Sequence, residues 1–157
     1  MEGNACLCPG GILSTAELRA FYAEYVAAWN GRDLEYYYSL YSESLVFQDG
    51  TEVLHGVAAL RERYESELAA FPDLTIECKR LLVDSGTQTL AAENLERGTH
   101  SGDLVVGGER LAPTGRKLEL RGGLFMALDG DGRIAEMSEY ADPGQFLAQL
   151  RPEIPSE

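Results

Sequence analysis

A chain of 157 residues with 45% hydrophobic and 25% charged side chains has the composition of one globular domain with a core of its own, and a second domain is not expected. Its formal charge of −13 repels phosphate backbones and anionic lipid, and the isolated basic pairs Arg61/Arg63 and Lys79-Arg80 do not offset it, so nucleic acid and membrane surfaces are excluded as partners. No stretch approaches the roughly eighteen apolar residues of a membrane span, and the opening MEGNACLCPGG lacks a basic and a long apolar region, which predicts a cytoplasmic protein.

Residues 1–13 read as a flexible tail, residues 14–151 as the domain and residues 152–157 as a frayed end. Ser14-Thr15-Ala16-Glu17 fits a capping box, and Leu18, Phe21, Tyr22, Tyr25, Val26 and Trp29 then recur at helical spacing until Asn30-Gly31. Asp33 caps a shorter helix that carries Tyr37, Leu40 and Tyr41 inward and leads into an extended run, Leu45 to Gln48. Asp49-Gly50 reads as a turn and His55 as a loop residue. A third helix follows Gly56, with Val57, Leu60, Tyr64 and Leu68 on one stripe, and stops at Phe71-Pro72-Asp73.

The period then changes to two. Leu74 to Val83, Thr89 to His100, Lys117 to Leu128 and Arg133 to Tyr140 are predicted strands, parted by Ser85-Gly86, by a Gly-rich connection from Gly102 to Gly115 and by Asp129-Gly130-Asp131-Gly132. Asp142-Pro143 starts a last short helix to Leu150. Helices followed by an antiparallel meander predict an α+β fold in which the N-terminal helices cover one face of a strongly curved antiparallel sheet and close it into a cone-shaped α+β barrel. Leu118, Leu120, Gly122, Leu124, Met126 and Leu128 mark its inner wall, Lys117, Glu119 and Arg121 its outer one, and Gly122-Gly123 are expected to supply a bend.

Alternation places Glu139 on one face with Ala135, Met137 and Ala141, opposite Ile134, Glu136, Ser138 and Tyr140. Loss of water disfavours a carboxylate there, so its pKa is expected to rise towards neutrality, where one group both takes and gives a proton. His100 shares a face with Asn94, Glu96 and Gly98, and an imidazole at that point is the second candidate for proton transfer. Trp29, Tyr41 and Phe47 belong to the core by default and, with Asn94, Leu120, Leu124, Met126 and Met137, are the candidate walls of a cavity for a hydrophobic small molecule. Two distant histidines without HxH or HExxH spacing make a poor ligand set, three cysteines (Cys6, Cys8, Cys78) make neither a disulfide framework nor a zinc site, and GDLVVGG is no phosphate loop. No metal and no cofactor is expected, and Cys78 reads as a small buried apolar residue.

The stretches Gly98-Thr99-His100-Ser101-Gly102, Pro113-Thr114-Gly115-Arg116 and Asp131-Gly132-Arg133-Ile134, in this order and spacing, resemble the SnoaL-like polyketide cyclases of the nuclear-transport-factor-2-like superfamily, from about Leu18 to Leu150. The resemblance implies the same cone, a homodimer through the open sheet face near Glu119 and Arg121, and a cofactor-independent cyclase or isomerase. Cyclases that close rings by an intramolecular aldol reaction carry an aspartate five residues beyond the hairpin isoleucine, where this chain has Glu139. Where those enzymes carry a histidine on the adjacent strand, this chain has Leu124 or a neighbour. Other relatives open epoxides intramolecularly with a His/Glu pair, which His100 with Glu139 resembles. The rival readings are an epoxide hydrolase and a non-catalytic binding or dimerisation module of the same fold.

Overall fold

The computed structural model describes residues 11–106 and 108–151. Cys6, Cys8 and the segment after Arg151, read above as tails, lie outside the described residues.

Helix α1 (Thr15–Asn30) starts on the expected capping box: the Glu17 backbone N–H donates to Ser14 Oγ, and the Ser14 N–H donates to the Glu17 carboxylate. It buries Leu18, Phe21, Tyr22, Tyr25 and Trp29. At its end Asn30 binds both backbone groups of Ile76, donating at 2.9 Å and accepting at 2.8 Å. Arg32, at φ 58°, donates to the carbonyls of Trp29, Pro72 and Leu74.

Helix α2 (Leu34–Ser39), capped by Asp33, buries Tyr37 and Tyr38. The chain enters β1 (Tyr41–Asp49) at once, four positions ahead of the extended run expected from Leu45, because Tyr41 already pairs with Ile134. Strand β2 (Glu52–His55) turns back on β1, so His55 is a strand residue opposite Val46 and not a loop residue. Helix α3 (Val57–Ala70) buries Leu60 and Tyr64 on the stripe read from its sequence.

Strands β3 (Thr75–Asp84) and β4 (Thr89–Thr99) follow; the Gly-rich connection holds a small hairpin of β5 (Leu104–Val106) and β6 (Glu109–Leu111). Then come β7 (Lys117–Leu128), β8 (Ile134–Ala141) and helix α4 (Pro143–Leu150). Six strands form one curved sheet in the order β2-β1-β8-β7-β4-β3. Every neighbouring pair is antiparallel except β1 with β8, which is parallel and departs from the wholly antiparallel expectation. Local periodicity cannot register that pairing, because its two strands stand at opposite ends of the domain.

On β7 the alternation holds: Leu118, Leu120, Leu124, Met126 and Leu128 are buried, and Lys117, Glu119 and Arg121 are exposed. On β8 it breaks. Leu128 pairs with Ile134 but Ala127 with Glu136, so a register slip turns Ile134 inward to the core beside Met137, while Ala135, expected inside, is only half-buried. The bend predicted at Gly122-Gly123 is not a bulge, since both stay in register with Asn94 and Glu93. A Cβ at Gly122 would stand 3.0 Å from the Tyr140 carbonyl, so the glycine serves the close approach of β7 and β8. Cys78 is exposed, not buried, because it lies at a register slip on the edge strand β3.

The outer face is wet. Arg97 pairs with Glu77 and Glu119, Arg121 with Glu93, and Phe125 meets Tyr140 edge-on with both rings more than half exposed. No helix among the described residues is long and apolar enough to cross a membrane.

Helix α3 is moored to the sheet where β4 ends: the N–H groups of Ser101 and Gly102 both donate to the Ala70 carbonyl, at 3.0 and 3.1 Å. A Cβ at Gly102 would fall 1.9 Å from the Ala69 carbonyl oxygen. Gly102→Ala is therefore expected to force α3 off the sheet and to cost about 2 kcal/mol or more, read as a lower urea midpoint at unchanged m-value. An unchanged midpoint would show that the mooring carries no strain.

Candidate active site

The register across the sheet assembles the site. Glu139 on β8 is flanked by Asp49 on β1 and Leu124 on β7, and Leu124 in turn by Ala92 on β4. The sheet thus presents a carboxyl between another carboxyl and a leucine, and α3 lies over it. Tyr64 Oη donates to Glu139 Oε1 at 2.9 Å. Glu139 Oε2 makes no hydrogen bond or ion pair to any described residue, and the Glu139 side chain lines the space beneath the helices.

That space is a cavity of about 30 Å³, room for one or two water molecules, within a cleft of about 380 Å³ that opens to solvent. Its helical side is aromatic, with Tyr25, Trp29, Tyr37 and Tyr64. Leu74, Ile76, Asn94 and Leu124 supply the strand side. Three carboxyls, Glu67, Glu96 and Glu139, complete the wall.

The electrostatics follow from this crowding. Burial raises the Glu139 pKa from 4.5 to about 7, Glu67 and Asp49 push in the same direction, and the Tyr64 hydrogen bond and Arg63 pull against it. Glu67 is also raised, again chiefly by burial, with Arg63 opposing. Glu96 is held well above the carboxylate range by burial and then by Glu67, Glu139 and Asp49. Arg63 is the cation that acts on Glu139 and Glu67; it sits one helical turn before Glu67 and bridges Asp49 and Glu52.

Behind Tyr64 lies a phenol network. Tyr37 donates to Tyr25 at 2.6 Å, and Tyr41 lies 3.0 Å from Tyr37 and 3.2 Å from Tyr25. Burial raises the pKa of Tyr25, Tyr37, Tyr41 and Tyr64, so these groups stay neutral donors over the physiological range.

Of the residues expected at the site, the structure brings Glu139, Trp29, Asn94 and Leu124 to the cavity. Asn94 is fixed there by the Tyr22 hydroxyl at 2.8 Å. Tyr41, Phe47, Leu120, Met126 and Met137 are buried in the core and do not line the cavity; Tyr41 reaches it only through its phenol partners, and Phe47 only by packing on Tyr64. His100 does not join Glu139. It shares the predicted face, but two side-chain positions past Glu96 that face has left the cavity, and the ring is buried against Phe71 at 5.3 Å. Its Nδ1 accepts from the Thr114 N–H at 3.3 Å and its backbone binds Arg116 and Gly115, so it ties the end of β4 to the returning loop.

Glu67 and Tyr64 were not expected at the site, and Asp49, for which a turn is the first reading and a catalytic role the lesser one, flanks it without lining the cavity. Tyr64 is on the stripe predicted to be buried but carries no sign of a role beyond packing, and Glu67 stands among other charged residues of α3 with nothing to set it apart. Among the described residues no group of three His, Cys, Asp or Glu side chains is arranged to hold a metal ion.

With this geometry in hand, similarity to known proteins is informative. The family model described as SnoaL-like polyketide cyclase matches residues 19–150. AclR from Streptomyces galilaeus, a proposed hydroxylase, is 27% identical, with a TM-score of 0.75 over 87% of this chain and 97% of its own. IdmH from Streptomyces antibioticus, a proposed polyketide cyclase, is 26% identical, with a TM-score of 0.69 over 85% of this chain and 98% of its own. SalBIII, an epoxide hydrolase/cyclase-like enzyme with a role in pyran ring formation in the polyether salinomycin, shares the fold at 20% identity and a TM-score of 0.69, over 83% of this chain and 94% of its own. None of the curated proteins matches the chain.

Two consequences are measurable. Tyr64→Phe removes the hydrogen bond that favours the Glu139 anion, so the Glu139 pKa should rise by about one unit, read by carbon NMR of labelled glutamate carboxyls. A fall or no change would mean that Tyr64 does not hold the anion. Because the folded-state pKa of Glu139, about 7, lies above its ordinary 4.5, the native fold carries the cost of charging it in full above pH 7 and not at all below about 4.5. Glu139→Gln should therefore gain stability over the native chain as pH rises through this window, by on the order of 2–3 kcal/mol between pH 4 and pH 8 in urea unfolding. Parallel pH dependences would place the carboxyl in bulk water.

Proposed function

Since the chain belongs to the SnoaL-like polyketide cyclase family, we propose that it closes a ring in a hydrophobic, oxygen-rich natural-product intermediate by general acid/base catalysis, with Glu139 as the proton-transfer residue. The observation that carries this reading is the state of one carboxyl. Glu139 has one oxygen tied to Tyr64 and the other uncommitted, in an aromatic cavity that sets its titration near neutrality.

In the aldol form Glu139 Oε2 removes the proton of a C–H bond beside a carbonyl, the carbanion, delocalised as an enolate, attacks a second carbonyl of the same molecule, and the alkoxide so formed takes the proton back from Glu139. Tyr64 orients the base, while the aromatic walls exclude water and hold the reacting ends together; such holding lowers the barrier by about 7–11 kcal/mol where alignment is ideal. A cavity this tight admits a ring only as the guest displaces the side chains between its walls.

A second form of the chemistry, intramolecular epoxide opening, is favoured by the presence of more than one titrating carboxyl on the wall. Its acid and base would both be carboxyls, because His100 is committed elsewhere. Product formed in heavy-oxygen water separates this closure, which takes up no solvent oxygen, from hydrolysis. The exposed Phe125 and Tyr140 on the outer face support the expected pairing of two copies across the sheet.

The direct test uses 2-tetralone, an apolar ketone with an acidic C–H. The native chain should catalyse its deuterium exchange with a rate that climbs with pH through about 7, and Glu139→Gln should lose about 10²–10⁴-fold. Exchange at the native rate in Glu139→Gln would remove the glutamate from the chemistry.

A further inference from the structure

We infer that Glu96 is a second proton-carrying residue of this pocket, the acid to the base of Glu139: it holds a proton when the guest arrives and gives it to the guest oxygen on which charge develops. This rests on the Glu139 reading and names the partner that the reaction needs.

Position comes first. On β4, Asn94 and Glu96 follow Ala92 along one face, and Ala92 stands in the same row of the sheet as Leu124 and Glu139. Glu96 itself is flanked by Ile76 on β3 and Leu120 on β7, both apolar. Its side chain lines the same cavity as Glu139 from two strands away, so a guest between them meets one carboxyl at each end.

Satisfaction comes second. No hydrogen bond or ion pair to the carboxyl of Glu96 or Glu67 is formed by any described residue, whereas Glu139 has Tyr64, Asp49 has Arg63 and Asn94 has Tyr22; of the two, Glu67 has the charge of Arg63 acting on it and Glu96 has none. The Glu96 carboxyl is thus half-buried on the cavity wall with no protein group holding its proton or its charge. A guest oxygen supplies the missing acceptor.

Charge decides which acid keeps the proton. The groups that face Glu96 are Tyr22 and Tyr25 from α1, Tyr37 from α2, Tyr64 and Glu67 from α3, Asp49 from β1 and Glu139 from β8. All are neutral or acidic. Arg63 favours the anions of Glu139 and Glu67 but does not act on Glu96. Each negative charge formed on Glu139 or Glu67 tightens the hold of Glu96 on its proton.

The step balances. The C–H bond breaks and its proton goes to Glu139; the electron pair moves through the new C=C bond to the carbonyl oxygen, which takes the proton from the O–H bond of Glu96. When the C–C bond forms, the enol O–H proton returns to Glu96 and the new alkoxide takes the proton held by Glu139. Both carboxyls end as they began.

The experiment labels glutamate carboxyl carbons and follows their titration in the native chain, Glu96→Gln, Glu96→Asp and Glu139→Gln, together with 2-tetralone exchange. The resonance missing from Glu96→Gln should remain that of a protonated acid above pH 7, and the Glu139 resonance should titrate as in the native chain. Exchange should fall about 10²-fold in Glu96→Gln, and Glu96→Asp should recover most of it. A Glu96 resonance that ionises near pH 4–5, or native exchange in Glu96→Gln beside a dead Glu139→Gln, overturns the inference and leaves Glu139 standing. Native exchange in Glu139→Gln, or no exchange in the native chain, overturns the reading beneath it as well.

Discussion

The structure depends on one unfavourable placement, a carboxyl put where the sheet turns its apolar side to the helices. Parity on β8 brings Glu139 inward with Met137, and neither Asp49 nor Leu124 beside it offers a cation. Water withdrawn from a carboxylate is replaced there by a single phenol. Folding tolerates this because the surrounding apolar burial is large and because the group escapes the cost by taking a proton. The proton that relieves the fold is the proton available to a guest, so the strain and the reactivity have one origin.

Helix α3 governs how far that goes. Arg63, Tyr64 and Glu67 lie within little more than one turn, and they act on Glu139 with opposite signs: arginine and tyrosine favour the anion, the glutamate opposes it. Any shift of α3 against the sheet would change all three at once. Its anchoring is correspondingly firm, through Ala70 to the residues after β4 at its end and through Arg63 to β1 and β2 at its middle. The Arg32 clamp on Trp29, Pro72 and Leu74 fixes the opposite wall, so neither side of the cavity rests on a free loop.

How much of this the chain declares depends on how local the cause is. Helix α1 was legible because the Ser14/Glu17 cap and the aromatic stripe are short-range signals, and the inner wall of β7 because its alternation runs unbroken for twelve residues. Glu139 was legible by parity with Met137, although the same parity failed three residues earlier, where the slip opposite Ala127 turned Ile134 inward. The parallel pairing of β1 with β8 was not legible, and with it went the role of Asp49, a turn residue by its neighbours and the flank of Glu139 by its partner strand. Glu67 was hidden in a charged helix, and Glu96 was placed on the correct face but not singled out among its neighbours. Cys78 misled in the other direction, since small apolar character says nothing of an edge strand. His100 shows the limit of face assignment: a strand face is continuous, whereas a cavity occupies only part of it.

That distinction between a face and a cavity bears on the choice of acid. An imidazole could trade protons at neutral pH without any help from burial, since its ordinary pKa already lies there. A carboxyl requires a dry, acidic neighbourhood to reach the same range, and here the neighbourhood is made of further carboxyls, Glu67 and Asp49, with Arg63 as the counterweight. Such a site is tuned by the number of charges around it. Each proton bound or released by one member changes the readiness of the others, so the pocket titrates as a set in which Arg63 favours the anions of Glu139 and Glu67.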